Sequence, residues 1–262
     1  MDLKGRGAIV TGSAAGIGAA VAQKLAARGA KVAINYTKSE AEAKAVQAEI
    51  KKSGGEAILA QGDVASDTDC RRIVDTTVKA FGRLDILVNN AGTTKFADHA
   101  NLDLLAAEDF QSIYAVNVIG PFQMIRAALP HLKSRGFGAV VNVSSIAGVA
   151  GIGSSVAYAA SKGALNAMTL SLARALGPEI RVNAICPGFV GTRWFKDRFG
   201  DEAFNRIVEG QKATTPLKRA GTPDDIAESV VFFCAEGAEH ITGETLLVDA
   251  GLHLSMTTFS QR

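Results

Sequence analysis

The amino-acid sequence predicts an α/β fold, with a mainly parallel sheet covered by helices on both faces. Seven short apolar runs alternate with longer helical patterns along 262 residues. The runs are continuously apolar, as in parallel strands that are buried on both faces. A hydrophobic content of 47% is enough for a large core. These three observations indicate one domain, residues 1–262, built around a doubly wound sheet of seven strands.

The predicted strands follow one another at residues 8–10, 32–34, 57–59, 86–88, 139–141, 182–185 and 245–248. Most of the intervening segments are long enough for a crossover helix. Ser39 with Glu42 resembles a capping box, and Thr222 with Pro223 fits an N-cap followed by proline at the first helical position. Residues 192–220 break the tight alternation and are rich in aromatic and basic residues, so we expect a lid insertion over a site.

Composition excludes several classes of function. The formal net charge is only +2 and the basic residues are dispersed, so neither nucleic acid nor a membrane is an expected partner. The histidines and the three cysteines are scattered, which predicts reduced thiols and no metal site. The N-terminal residues contain no apolar segment long enough for a signal peptide or a membrane span, so a cytoplasmic location is expected. A small-molecule substrate fits best.

A glycine-rich turn lies between the first strand and the first helix, with Gly12, Gly16 and Gly18 in a GxxxGxG spacing. Glycines there let the main chain approach a pyrophosphate, whose charge the helix N-terminus favours. Close packing of the βα unit is the alternative explanation for these glycines.

The second strand ends in Asn35-Tyr36-Thr37-Lys38, without the acid that usually binds the ribose of NAD. Thr37 and Lys38 could donate to a 2′-phosphate, so NADP(H) is favoured over NAD(H), unless Lys38 merely ends a solvated turn.

Tyr158 and Lys162 are four residues apart and would lie on one face of a helix. A carbonyl reduction needs a proton donor, and a nearby ammonium would favour the phenolate of a tyrosine. Ser145, after the fifth strand, could hydrogen-bond the substrate oxygen at the carboxyl edge of the sheet. Taken alone, a Tyr-x-x-x-Lys pair is more often an ordinary helix surface pair.

Further motifs agree with these in order and spacing: Asn89-Asn90-Ala91-Gly92, Asn117-Val118-Ile119-Gly120, Tyr158-Ala159-Ala160-Ser161-Lys162 and Pro187-Gly188. With them the chain resembles the short-chain dehydrogenase/reductase family, over nearly its whole length, and is broadly similar to its 3-oxoacyl-carrier-protein reductases. The resemblance implies a Rossmann-type fold and a catalytic set of Asn117, Ser145, Tyr158 and Lys162. Asn117 would anchor a water through which the proton is replaced. Ser144 is excluded because Ser145 has the family spacing to the tyrosine.

The resemblance also implies the cofactor contacts. Gly12, Gly16 and Gly18 would form the pyrophosphate turn, Asp63 would contact the adenine, and Asn89 would support the sheet. Thr192 would contact the nicotinamide carboxamide, and Lys162 the ribose. The full set of expected cofactor-binding residues is Gly12, Ser13, Gly16, Ile17, Gly18, Asn35, Thr37, Lys38, Asp63, Val64, Asn89, Ala91, Tyr158, Lys162, Pro187, Gly188, Val190 and Thr192.

The expected function is therefore NADP(H)-dependent interconversion of a ketone and a secondary alcohol, with Tyr158 as general acid/base. A non-catalytic dinucleotide sensor and a 3-oxoacyl thioester reductase are the alternatives. Thr93-Thr94-Lys95 departs from the Thr-Arg-Asp usual after that glycine in 3-oxoacyl reductases, which weakens the second. Epimerases and dehydratases with a similar tyrosine and lysine generally need a larger C-terminal domain than follows the seventh strand here.

In the lid, Trp194 and Phe195 would shape an apolar pocket. Arg193 or Arg198 would meet an acidic group of the substrate, unless the arginines form only a solvated helix face.

Family members are commonly tetramers, so a homotetramer is expected, with helices near 106–132 and 156–176 at one interface and residues 246–254 at another. Residues 255–262 are expected to be less ordered.

Overall fold

A sheet of seven parallel strands forms the centre of the computed structural model, which describes residues 2–134 and 136–254. Every neighbouring pair of strands is parallel, in the order β3-β2-β1-β4-β5-β6-β7. All seven predicted strands and the doubly wound sheet are confirmed. The strands are β1 Gly7–Val10, β2 Lys31–Tyr36, β3 Glu56–Gln61, β4 Ile86–Asn89, β5 Gly138–Val143, β6 Ile180–Pro187 and β7 Thr245–Val248.

Helices cover both faces of this sheet. They are α1 Gly16–Ala27, α2 Glu40–Lys52, α3 Asp67–Phe81, α4 Ala107–Tyr114, α5 Gly120–Lys133, α6 Ala147–Ala150, α7 Val156–Leu176, α8 Arg193–Thr214 and α9 Pro223–Cys234. A π-helical turn, Ala115–Ile119, joins α4 to α5, and short 3₁₀ turns lie at Leu102–Leu104 and Leu252–Leu254.

The core lies in two layers, one on each side of the sheet. Successive side chains of a strand point to opposite faces, so Val10 packs with α1, α2 and α9, whereas Ile9 packs with α3 and α5. Burial on both sides explains why the five inner strands are apolar at consecutive positions, whereas the edge strands β3 and β7 are only partly buried. Within the described residues, no helix is both long enough and apolar enough to span a membrane.

Of the two predicted helix caps, one forms. The Thr222 hydroxyl accepts a hydrogen bond from the Asp225 N–H at 3.3 Å, and the Asp225 carboxylate accepts one from the Thr222 N–H at 2.8 Å. Ser39 does precede α2, but its side chain makes no capping hydrogen bond, so the predicted capping box is wrong. The reason is local, because Ser39 has a ψ of 59° instead of the extended conformation typical of an N-cap.

The order of the strands positions a site at the carboxyl edge of the sheet. From β1 the chain builds outward through β2 to β3, then returns to the other side of β1 to form β4. The loops after β1 and β4 therefore leave the sheet in opposite directions and open a crevice between them. The expectation that residues 255–262 are less ordered lies outside the described residues.

Candidate active site

A cavity of about 1080 Å³ opens at this carboxyl edge. Most of the residues that the sequence predicts for the site line this cavity. Those lining it are Gly12, Gly16, Ile17, Asn35, Thr37, Asp63, Val64, Ala91, Ser145, Tyr158, Lys162, Pro187, Gly188, Val190 and Thr192. The cavity lining does not include Ser13, Gly18, Lys38, Asn89 or Asn117.

The glycine turn after β1 is packed too tightly for side chains. Gly12 has a φ of +60°, and a Cβ added there would lie 2.9 Å from the Cα of Ala91. A Cβ on Gly18 would lie 2.5 Å from both Nδ2 of Asn90 and the carbonyl oxygen of Gly12. Asn90 donates from that nitrogen to the carbonyls of Thr11 and Gly12, both at 3.0 Å. Gly18 thus permits the packing that joins the turn to β4.

The start of α1 is suited to an anion. Its N-cap is Ala15, which makes no side-chain capping bond, and the first turn contains no acidic residue. Ala15, Gly16 and Ile17 all line the cavity. The first N–H groups of a helix lack partners within the helix and carry the positive end of its dipole. These residues therefore fit the pyrophosphate of a dinucleotide.

Asn35 shapes the cradle through its side chain. Its Oδ1 accepts a hydrogen bond from the Gly12 N–H at 3.1 Å, and its Nδ2 donates to the carbonyls of Ala60 and Gly62 at 3.0 Å each. Asn35 thus ties the glycine turn to the carboxyl end of β3. Thr37 and Lys38, which follow β2, are both exposed.

Two other expected cofactor contacts lie on the cavity wall. Asp63 also forms a turn, because its Oδ1 accepts from the Ala65 N–H at 2.9 Å. Thr192 begins α8, and its methyl group would lie 3.7 Å from a Cβ added to Gly16. Thr192 therefore faces the start of α1. Asn89 is buried instead, and its Nδ2 donates to Asn142 on β5 at 2.9 Å, which agrees with the expected support of the sheet.

The predicted catalytic pair lies on α7, as the spacing requires. Ser155 caps this helix by accepting a hydrogen bond from the Tyr158 N–H at 3.2 Å, which holds the tyrosine in the first turn. Ser145 follows β5, and its Oγ accepts from the Ala147 N–H at 3.1 Å. Accepting this bond does not use the hydroxyl proton of Ser145, which can be donated to a group beside it such as the Tyr158 oxygen. Tyr158, Ser145 and Lys162 all line the cavity, as the sequence predicts.

Burial governs the titration of both members of the pair. It raises the pKa of Tyr158 to about 12, while a hydrogen bond with Ser145 acts in the opposite direction. Burial also lowers the pKa of Lys162 to about 8. The Lys162 Nζ lies 5.7 Å from the centre of the Tyr158 ring and donates to the carbonyl of Val143 at 2.9 Å. Desolvation, and not the ammonium expected to favour the phenolate, therefore dominates the pKa of Tyr158 in this structure.

Asn117 lies in the π-helical turn and is fully buried, so it is not an ordinary residue of a helix surface. Its Nδ2 donates to the Thr93 carbonyl at 2.9 Å and to the Ser161 hydroxyl at 3.0 Å. Its Oδ1 accepts from the Thr93 N–H at 2.8 Å. Only the second lone pair of Oδ1 remains for the water that the resemblance implies. The contacts join the loop after β4 to the turn of α7 that lies between Tyr158 and Lys162.

The segment predicted as a lid insertion contains α8, a helix without a single buried residue that bends at Gly200. Its N-terminal part contributes Arg193, Trp194, Phe195 and Phe199 to the cavity wall. The Trp194 ring lies edge-on to that of Tyr158, with 6.5 Å between their centres. The expected aromatic wall over the site is therefore present.

Sequence reasoning missed several residues that shape the site. Phe96 packs edge-on against Phe199 with ring centres 5.1 Å apart, and Phe189 lies 4.9 Å from Phe195. Both come from loops that follow strands, where an isolated phenylalanine has no periodic pattern to identify it. Ser155 could have been found, since a serine just before an apolar helical pattern is a common N-cap.

Known proteins resemble this chain over almost its full length. A family model described as enoyl-(acyl carrier protein) reductase matches residues 12–253. A Streptomyces violaceoruber protein, named as a granaticin polyketide synthase ketoacyl reductase, is 45% identical over 94% of this chain and 96% of its own. L-rhamnose 1-dehydrogenase (NAD(P)(+)) of a Sphingomonas species is 37% identical, covering 97% and 98% of the two chains. A short-chain dehydrogenase from Burkholderia cenocepacia, solved in complex with NADP, has a TM-score of 0.86 and 38% identity over 97% of this chain and 100% of its own.

Proposed function

The chain belongs to the short-chain dehydrogenase/reductase family of oxidoreductases, and we propose that it is an NADP(H)-dependent enzyme that interconverts a ketone and a secondary alcohol. The observation that carries the proposal is the convergence of Ser145, Tyr158 and Lys162 on one cavity that also contains the glycine turn. A cradle for a dinucleotide and a proton donor are therefore side by side.

The tyrosine suits proton transfer to a carbonyl. With a pKa raised to about 12, Tyr158 stays a neutral phenol at neutral pH and can donate to the substrate oxygen. The Ser145 hydroxyl would hydrogen-bond the same oxygen as negative charge develops on it. Lys162 would hold the ribose, and Asn117 the water that replaces the proton. When bound, NADP(H) supplies the hydride in reduction and the nicotinamide accepts it in oxidation.

The preference for NADP(H) rests on the end of β2. No carboxylate is present from Asn35 to Lys38, so nothing in this stretch repels a 2′-phosphate. Thr37 lines the cavity with an exposed side chain and could donate a hydrogen bond to that phosphate. Lys38, exposed beside it, would add a positive charge.

Loss of nicotinamide absorbance, followed with NADPH and with NADH against a panel of ketones, tests the proposal. We expect faster turnover with NADPH and loss of turnover in the Tyr158→Phe variant. Near-normal turnover in that variant would remove Tyr158 from its role as general acid. Binding of NADPH without turnover of any ketone would favour a dinucleotide sensor.

A 3-oxoacyl thioester reductase is a second candidate within the same class. The ketoacyl reductase of Streptomyces violaceoruber and the 3-oxoacyl-[acyl-carrier-protein] reductase of a Synechocystis species, 36% identical, support it. The similarity to L-rhamnose 1-dehydrogenase shows that resemblance alone does not select the substrate. Acetoacetyl-coenzyme A in the ketone panel distinguishes the candidates.

We also propose that the chain assembles as a homotetramer. Phe110 on α4, Phe122 on α5 and Leu170 on α7 are exposed large apolar side chains on the helices expected at one interface. At the end of the sheet, β7 has a neighbour on one side only, and Leu246 on it is exposed. Such faces are commonly covered by a second copy. A concentration-independent monomer in light scattering would contradict the assembly.

A further inference from the structure

Four large apolar side chains around the cavity remain exposed to solvent. The exposed fractions are 44% for Leu104, 45% for Ile152, 43% for Trp194 and 42% for Phe199, and all four line the cavity. They come from the 3₁₀ turn before α4, the loop after α6 and the lid helix α8. Large apolar side chains that stay exposed around one cavity are typical of a binding site. The mouth of the cavity therefore favours an apolar group.

Arg193, which lines the cavity, and Arg198, one turn further along α8, already have partners. Arg193 Nε lies 3.6 Å from the Asp197 carboxylate, one helical turn away. The Arg198 guanidinium lies over the Phe96 ring, 5.7 Å from its centre. Asp98, which also lines the cavity, adds a negative charge. The exposed Arg193–Asp197 pair is a weak interaction, so the main obstacle to a carboxylated or phosphorylated substrate is the Asp98 carboxylate on the cavity wall.

The walls of this region are aromatic and meet at steep angles. The Trp194 ring makes an angle of 81° with the Tyr158 ring, and the Phe96 ring makes the same angle with the Phe199 ring. Aromatic rings gain from edge-to-face and offset contacts beyond the area that they bury. A flat ring on the substrate can make such contacts with Trp194 while its carbonyl lies beside Tyr158.

We infer that the substrate is an uncharged ketone with a bulky, aryl-bearing group, which packs between Trp194 and the Phe96–Phe199 pair. The inference rests on the proposed function and names its substrate class. Trp194 is then the main specificity-determining residue. A thioester of coenzyme A, which is highly charged, is disfavoured by the same contacts.

The test compares two ethyl β-keto esters that carry either a benzyl or a methyl group on the ketone, with acetoacetyl-coenzyme A as a third substrate. We expect kcat/KM to be at least tenfold higher for the benzyl ester than for the other two. Trp194→Ala should lower the benzyl-to-methyl ratio at least fivefold, and Trp194→Phe should restore part of it. The control is Leu217→Ala, because Leu217 is 65% exposed just after the lid helix but does not line the cavity.

Equal kcat/KM for the two esters, or the highest value for the thioester, would overturn the inference while leaving the reductase intact. An unchanged benzyl-to-methyl ratio in Trp194→Ala would also overturn the inference.

If none of the three compounds is reduced, the proposed function fails for them and a binding measurement decides the inference. Trp194 is the sole tryptophan of the chain, so its fluorescence reports on this pocket. In Tyr158→Phe protein saturated with NADP⁺, at least tenfold tighter binding of the benzyl ester would support the pocket, and equal binding would refute it.

Discussion

Replacing Lys162 by methionine is expected to stabilise the fold while abolishing turnover. Burial lowers the pKa of this lysine from 10.5 to about 8, which corresponds to about 3 kcal/mol of unfavourable free energy at neutral pH, since one pH unit is worth about 1.4 kcal/mol. Methionine has a similar length and no charge to desolvate. It loses the hydrogen bond from Nζ to the Val143 carbonyl, which contributes about 1 kcal/mol. The expected net gain is about 2 kcal/mol.

The gain should depend on pH with a definite sign. Below pH 8 the lysine is charged in both the folded and the unfolded chain, so the wild type bears the full cost of burying the charge. Between pH 8 and 10.5 the unfolded chain binds the proton more strongly than the folded one, so the wild type gains stability as pH rises. The cost of burying the charge falls to about 1.4 kcal/mol at pH 9.5, so the difference between variant and wild type should shrink from about 2 kcal/mol at pH 7 to about 0.4 kcal/mol at pH 9.5.

Urea unfolding at these two pH values measures both effects. Lys52→Met is the matched control, since Lys52 is exposed at the end of α2 and its replacement should shift the free energy of unfolding by less than about 0.5 kcal/mol at either pH. A Lys162→Met protein that is less stable than the wild type at pH 7, or a difference that does not change with pH, would refute the reasoning.

Three further predictions test the site and its scaffold. Tyr158→Phe should lower kcat by about 10²–10⁴-fold with little change in Tm, because only the phenolic oxygen is removed; retention of more than a tenth of kcat would contradict its role. Thr37→Asp should lower the ratio of kcat/KM for NADPH over NADH by about tenfold or more through repulsion of the 2′-phosphate, and Thr37→Val should lower it less; an unchanged ratio would place the phosphate elsewhere. Gly148→Ala would push its Cβ into the main chain of Lys162 and should cost about 1–3 kcal/mol. In the matched variant Gly163→Ala the added Cβ would lie 3.5 Å from the Gly148 oxygen, an ordinary contact, and helix propensity should stabilise the protein by up to about 1 kcal/mol. If thermal unfolding showed the same loss of stability for Gly148→Ala and Gly163→Ala, this packing would be contradicted.

Local patterns of the sequence predicted the fold well because each has a direct physical cause. Consecutive apolar residues identified all seven strands, and for the five inner strands the cause is burial, since a strand covered on both faces must bury both sets of side chains. The i, i+4 spacing placed Tyr158 and Lys162 on α7 for a similar reason. Ser39 is the exception. Its residue type and spacing suit a cap, but its backbone is not extended and its side chain makes no capping hydrogen bond.

The details of the site were harder to predict because many partners of its side chains are main-chain groups far away in the sequence. Lys162 donates to the carbonyl of Val143, Asn35 to those of Ala60 and Gly62, and Asn117 to that of Thr93. Every residue has a carbonyl, so residue type does not reveal which one will be used. Residue type does not reveal the depth of burial either, which raises the pKa of Tyr158 and lowers that of Lys162. Sequence can therefore name the chemical groups of this site, whereas their protonation and orientation depend on how closely the surrounding main chain packs around them.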